Sequence, residues 1–324
     1  KTMILAGDIG GTKVNLALFD STMRITEKRY ESRDFSGIEK ILDDFLKDND
    51  STIEKACFGV AGQVTNGKCR LTNLSWQIEV EHLKEQLGID AVWLINDLAA
   101  TACAIPFSSP EDFEVIQAGA PVSEGRISVV SAGTGLGQAF LIPERNGKFI
   151  VMDSEGGHCD FSPRTRLEAE LLFFLQKKYS RVSIERVLSG FGLLDIYGFF
   201  KLVANEEDSQ EVIEAVDSPA TIVERAVAKT SPICEKTLKL FVSLYGALAG
   251  NLALQYLSMG GVYLGGGIAP KVVPLLKEGD FMEAFLSKGR FKKVLSGIPV
   301  KVVMDETAPL LGAAQYARGQ YFVN

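Results

Sequence analysis

Three glycine clusters carry most of the chemistry legible in this chain, which holds 31 glycines among 324 residues. They are Gly7-Asp8-Ile9-Gly10-Gly11-Thr12, Ala132-Gly133-Thr134-Gly135-Leu136-Gly137 and Gly265-Gly266-Gly267, each following a short apolar run. A glycine turn after a strand lets backbone N–H groups face a phosphate with no Cβ in the way. The first loop is not a Walker A loop, because Thr12 stands where that pattern needs glycine. Gly133-x-Gly135-x-Gly137 lacks the Gly-x-Gly-x-x-Gly spacing of a dinucleotide fingerprint and runs into a strand pattern. Each cluster alone would serve an ordinary tight hairpin. Two matched threonine-bearing loops, with a third cluster after another strand, favour nucleotide phosphates. Asp97 follows the apolar run Ala91–Ile95, at the strand end that faces a cleft in α/β sheets. It also precedes the helical run Leu98–Ala104, so a reactive carboxylate and a helix N-cap are both open readings.

These residues need strands and helices to hold them. Expected strands are Met3–Ala6, Val14–Phe19, Ala56–Val60, Ala91–Ile95, Ile127–Ala132, Gln138–Ile142, Val262–Leu264 and Val300–Met304, alternating with helical patterns in the manner of an α/β protein. Ser36 with Glu39 and Thr165 with Glu168 read as capping boxes. Ser218-Pro219 reads as a cap followed by an N1 proline. Met3–Leu18 and Ile127–Ile142 share the order strand, glycine loop, strand, which is a weak internal repeat. No proline- or serine-rich linker separates the halves, so they are expected to pack together with a cleft between them.

Composition excludes several classes. Apolar residues make up 46% and charged residues 23%, enough apolar surface to fold rather than stay disordered. A net charge of −7 offers no basic footprint for nucleic acid or an anionic membrane. Five scattered cysteines, never spaced Cys-x-x-Cys, fit a reducing compartment rather than a disulfide framework. The two histidines, His82 and His158, give no zinc-like spacing, and no structural metal is expected. Leu240 to Pro270 carries no charge and is long enough to span a bilayer. Asn251, Gln255, Gly260-Gly261 and Gly265–Gly267 interrupt it, so a buried helix followed by a buried strand is the expectation.

Leu5–Thr12 resembles the phosphate-1 motif of the actin-like ATPase superfamily, Ser131–Gly137 its phosphate-2 motif and Gly260–Ala269 its adenosine motif. Phe58–Gly62 and Glu306–Ala314 resemble its two connecting motifs. Leu94-Ile95-Asn96-Asp97, Glu155-Gly156-Gly157-His158 and Ser183–Gly190 narrow the resemblance to bacterial-type glucokinases, ATP-dependent hexose kinases. The chain departs from that group at Lys13, where asparagine is more usual and the neighbouring ROK sugar kinases have lysine, and at Phe191, where proline is usual. The cysteine-rich zinc motif of the ROK family is absent, since only Cys159 follows His158.

The resemblance implies a two-lobed actin-like (ribonuclease-H-like) α/β fold with its active site in the inter-lobe cleft. The smaller lobe would hold residues 1–106 plus 308–324 and the larger 107–307. It implies that Asp97 accepts the proton of the sugar 6-hydroxyl, and that Asn96, Asp97, Glu155, His158 and Glu185 bind the sugar. Gly156-Gly157 would permit a sharp turn that aims Glu155 and His158 inward. Gly7, Asp8, Ile9, Gly10, Gly11, Thr12, Thr134, Gly135, Gly265, Gly266 and Gly267 would bind ATP, with Asp8 organising Mg²⁺ through water. A cytoplasmic homodimer acting on a small-molecule hexose, without nucleic acid or membrane, is the accompanying expectation. Kinases for fructose, mannose or an amino sugar, and a non-catalytic sugar-sensing ROK-like protein, are the alternatives.

Overall fold

Burial along Met3–Ile9, broken only at the half-buried Asp8, marks the centre of the first sheet. In the computed structural model, which describes residues 3–20, 23–49, 51–71, 74–144, 147–203, 216–319 and 321–322, this strand is β1. It is joined by β2 (Lys13–Phe19), β3 (Arg24–Glu31), β4 (Ile53–Val60) and β8 (Val92–Asn96) in the order β3-β2-β1-β4-β8. β1 and β2 pair antiparallel, whereas β1–β4 and β4–β8 are parallel. The parallel connections run through α1 (Ile38–Lys47) and α2 (Val80–Leu87). α1 buries Ile38, Ile41, Leu42 and Phe45, the stripe a 3.6-residue period requires. Its cap differs from the expected Ser36–Glu39 box. Gly37 is the N-cap and no side chain bonds there, because the helix begins at Ile38, one residue too late for Ser36. A small sheet of β5 (Val64–Thr65), β6 (Lys68–Arg70) and β7 (Gln77–Glu79) precedes α2.

The chain divides into two compact units. Unit 1 comprises Lys1–Asp112, Ala139–Asp153 and Asp305–Asn324, and unit 2 comprises Phe113–Gln138 and Ser154–Met304. In unit 1, α3 (Asp97–Ala104) is closed by the last helix, α11 (Ala308–Ala317), through small residues. A Cβ on Gly312 would overlap the Ala100 carbonyl, so glycine is what lets the two backbones approach. Tyr321 donates its hydroxyl to the Cys103 carbonyl at 2.5 Å, tying the C-terminal strand β15 (Tyr321–Phe322) to the end of α3.

Unit 2 holds the strands β9 (Phe113–Gln117), β10 (Ile127–Ala132), β13 (Gly261–Gly265) and β14 (Val300–Val303), ordered β10-β13-β14-β9. β11 (Leu136–Pro143) leaves it at Gln138, and β12 (Phe149–Ser154) brings the chain back. Its helices are α4 (Arg166–Gln176), α5 (Gly190–Val203), α6 (Pro219–Val227), α7 (Pro232–Tyr256), α8 (Val273–Lys277), α9 (Asp280–Leu286) and α10 (Lys292–Leu295). Thr165 and Ser218 cap α4 and α6 as expected, accepting from the Glu168 and Thr221 N–H groups. Glu168 does not complete a box; its carboxylate, 1% exposed, is taken by Arg164 at 2.5 Å.

The long uncharged stretch resolves into α7 and the fully buried β13. α7 is long and apolar enough to cross a membrane, yet 78% of its most apolar window is buried inside the fold. Tyr245 reaches from its middle to the Val130 carbonyl at 3.0 Å, and Gly246 and Gly250 admit the α9 backbone at Phe281 and Phe285. These are the contacts of a core helix.

Candidate active site

Asp8 lies inside β1 rather than in a loop, because the ladder continues past the expected strand end at Ala6: Gly7 pairs with Leu16, Asp8 with Asn15 and Ile9 with Val14. Gly7 is enclosed by the Phe58 ring, and Ile9 is fully buried in the core. The turn is thereby reduced to Gly10-Gly11-Thr12. Gly10 donates to the Lys13 carbonyl at 2.9 Å. Ser32, which nothing in the sequence singles out, donates its hydroxyl to the Gly10 carbonyl at 3.1 Å and its N–H to the Thr12 carbonyl at 2.9 Å. With these carbonyls turned inward, the turn presents an exposed Thr12 and Lys13.

Asp8 accepts a hydrogen bond from Asn15 Nδ2 at 3.2 Å. Burial and then the negative charge of Asp97 push its carboxyl up to about 6, against the lowering effects of Asn15 and Arg29. The two carboxylates thus share one neighbourhood in unit 1. The N-cap position in front of Asp97 is taken by Asn96. Asn96 is the N-cap of α3, its Oδ1 accepting from the Leu98 and Ala99 N–H groups at 2.9 and 3.3 Å. Asp97 occupies the first helical position, and its Oδ1 shares the Leu98 N–H, accepting from it at 2.8 Å. Gly59 of β4 lets α3 approach closely, since a Cβ there would lie 2.9 Å from that of Ala100.

The remaining candidates gather in unit 2. Gly133 donates to the Gly135 carbonyl at 2.9 Å, closing the second glycine loop and leaving Thr134 exposed at its tip. Gly266, at φ +81°, sits where a Cβ would press on the Ala132 carbonyl and Ser131, so the third cluster is laid directly on this loop. A cavity of about 940 Å³ opens beside them, lined by Gly133, Thr134, Gly267 and Ile268 and by Phe191 and Val223 of α5 and α6. Its size suits a small-molecule or cofactor site.

Glu155 precedes the 3-10 turn Gly156–His158. The two glycines are there for close packing rather than for a special dihedral: Gly157 meets the Leu136 carbonyl and Gly156 the buried Gln138 side chain. The Glu155 and His158 side chains stay largely exposed, and His158 Nε2 is 3.8 Å from Glu155 Oε2. The turn lies against a second one, Ile184–Arg186, joined through the Ile184 N–H to the Cys159 carbonyl at 2.8 Å. Ser183 does not cap that turn with its side chain. Glu185 instead reaches the glycine loop, its Oε2 accepting from the Leu136 N–H at 2.9 Å. Spacing could not have revealed this contact, which joins residues 49 apart.

A family model described as Glucokinase matches residues 5–320. A curated relative, the glucokinase of Nostoc punctiforme, is 41% identical over 97% of this chain and 98% of its own. Among solved structures, the glucokinase from an Antarctic psychrotroph superposes with a TM-score of 0.87 at 33% identity, covering 98% of this chain and 99% of that one. A ROK family glucokinase from Streptomyces griseus, in complex with glucose and AMPPNP, shares the fold with a TM-score of 0.64 at 20% identity, covering 98% and 99%. The architecture is accordingly the two-lobed actin-like ATPase fold of these sugar kinases. Matched over almost all of its length by both sequence and fold, the chain is an enzyme of the glucokinase family.

Proposed function

We propose that the protein transfers the γ-phosphoryl group of ATP to the 6-hydroxyl of glucose, with Asp97 as the general base. The observation that carries this reading is the division of labour at the start of α3: Asn96 caps the helix, while Asp97 shares its surroundings with Asp8. Phosphoryl transfer asks the protein mainly for positioning and charge stabilisation. As the sugar oxygen attacks phosphorus, its proton passes to the Asp97 carboxylate and ADP leaves. Asn96, Glu155, His158 and Glu185 bind the sugar, pairing carboxylate acceptors and amide or imidazole donors with adjacent hydroxyls. Adenosine occupies the cavity beside Gly267, and Gly10, Gly11, Thr12, Thr134 and Gly135 take the phosphates.

Asp8 is a buried carboxylate repelled by the like charge of Asp97, a strain that a hard divalent cation would relieve, so Asp8 fits the role of holding Mg²⁺ through water. When bound, Mg²⁺ neutralises charge on the phosphates. The cytoplasm fits five cysteines that are all free thiols, four of them buried.

A coupled assay for glucose 6-phosphate with MgATP, run over a panel of hexoses with a no-sugar blank, tests the reading. Formation that favours glucose is the expected result. Preferred turnover of fructose, mannose or an amino sugar would move the substrate, and ATP hydrolysis indifferent to sugar would overturn the kinase reading.

A further inference from the structure

The segment Ser183–Gly190 grips the second glycine loop at both ends. Glu185 Oε2 accepts from the Leu136 N–H at 2.9 Å, and the Gly190 N–H donates to the Gly133 carbonyl at 2.8 Å. Ser189 closes the segment on itself, its hydroxyl donating to the Glu185 carbonyl at 2.8 Å. A Cβ on Gly135 would stand 2.8 Å from Glu185 Oε2, so the carboxylate fills the space that glycine leaves. The turn is also braced from behind. Arg186 stacks 4.2 Å over the Tyr179 ring, and Tyr179 donates to the buried Asp195 at 2.7 Å. From Gly190 onward the same segment becomes α5, whose Gly190, Phe191, Leu193 and Leu194 wall the large cavity.

We propose that Glu185 is a positioning residue for the phosphate loop, so that sugar and nucleotide binding are coupled through this clasp within unit 2. The inference rests on the reading above in one respect, that Glu185 is also a sugar ligand. A carboxylate has two oxygens and about four acceptor sites, so the bond to Leu136 leaves capacity for a sugar hydroxyl. A hydroxyl on the other oxygen fixes the carboxylate, and a fixed carboxylate fixes the loop. The ordering cost is then met once, by whichever ligand arrives first. Such coupling is reciprocal and is typically about 5- to 150-fold.

Calorimetric titration of the whole protein with ADP, with and without saturating glucose, tests this. Wild type should bind ADP at least about fivefold more tightly with glucose present. Glu185→Ala should weaken ADP about tenfold with no sugar present, the loss of one hydrogen bond to a charged acceptor, and should abolish the glucose effect. Glu185→Gln keeps an acceptor oxygen for the Leu136 N–H, so its sugar-free ADP affinity should stay within about threefold of wild type. Gly135→Ala should weaken glucose in the absence of any nucleotide, although it lies on the phosphate loop.

Sugar-free ADP affinity unchanged in Glu185→Ala would overturn the inference while leaving the sugar role standing. Weakened ADP with untouched glucose affinity would remove Glu185 from the sugar site and overturn the coupling with it, leaving only its hold on the loop. Should Glu185→Ala not fold, Gly135→Ala decides: glucose affinity equal to wild type refutes the coupling.

Discussion

Replacing Asp8 by asparagine should make the metal-free protein more stable while destroying its activity. Asp8 has an ordinary value of 3.8 and is pushed up to about 6 by burial and by Asp97. Between these two values the folded protein holds a proton that the unfolded chain gives up. Stability from this group is therefore full below pH 3.8 and is lost as pH rises through about 6. At about 1.4 kcal/mol per pH unit, Asp8 costs the fold about 3 kcal/mol at pH 8, where it is ionised, and about half that at pH 5, where the fold holds it protonated. Asparagine is never ionised and escapes this cost. Thermal unfolding of wild type and Asp8→Asn in EDTA, from pH 5 to pH 8, should show the variant melting several degrees higher at pH 8. The gap should narrow toward pH 5. Its kcat with MgATP should fall by at least about a hundredfold, as expected for a group that organises transition-state charge. A variant that melts lower than wild type at pH 8, or a gap that ignores pH, would refute the argument that burial and Asp97 strain Asp8.

Other substitutions probe the remaining elements. Asp97→Ala should lower kcat by about 10²–10⁴ with a native circular dichroism spectrum and largely intact glucose binding; near-wild-type turnover removes Asp97 as the base. Asn96→Ala should cost about 1 kcal/mol in urea unfolding through the lost α3 cap, and Asn96→Asp should restore that stability, since aspartate caps as well. Gly267→Ala adds a methyl with open space around it at the cavity wall, so the KM for ATP should rise while the melting temperature holds. Gly312→Ala should destabilise by about 1–3 kcal/mol or more, because its methyl collides with the Ala100 carbonyl.

The glycine clusters, the strand pattern and the apolar stretch at α7 were legible because each is a local regularity. Backbone freedom, two-residue alternation and unbroken apolar runs all act over a few neighbours. The eight expected strands are all present, with ends shifted where a ladder partner extends them, as β2 and β4 carry β1 through Gly7 and Asp8. β3 was not anticipated, since its charged Arg24–Glu31 sequence is an edge strand shaped by pairing with β2 rather than by apolar alternation. The order of motifs along the chain was likewise enough to indicate the family.

What one residue does with a long-range partner was decided only by the fold. Asp97 was on paper either a reactive carboxylate or the helix cap, and the fold puts Asn96 in the cap position with Asp97 one residue inside α3. Gly156 and Gly157 looked like turn formers and prove to be points of close packing against β11, visible only once Leu136 and Gln138 are beside them. Glu185 was placed by resemblance among the sugar ligands, and nothing in the sequence showed that its carboxylate holds the Leu136 N–H, 49 residues away. Hydrogen bonds and desolvation depend on distance in space, and a sequence specifies that distance only for near neighbours.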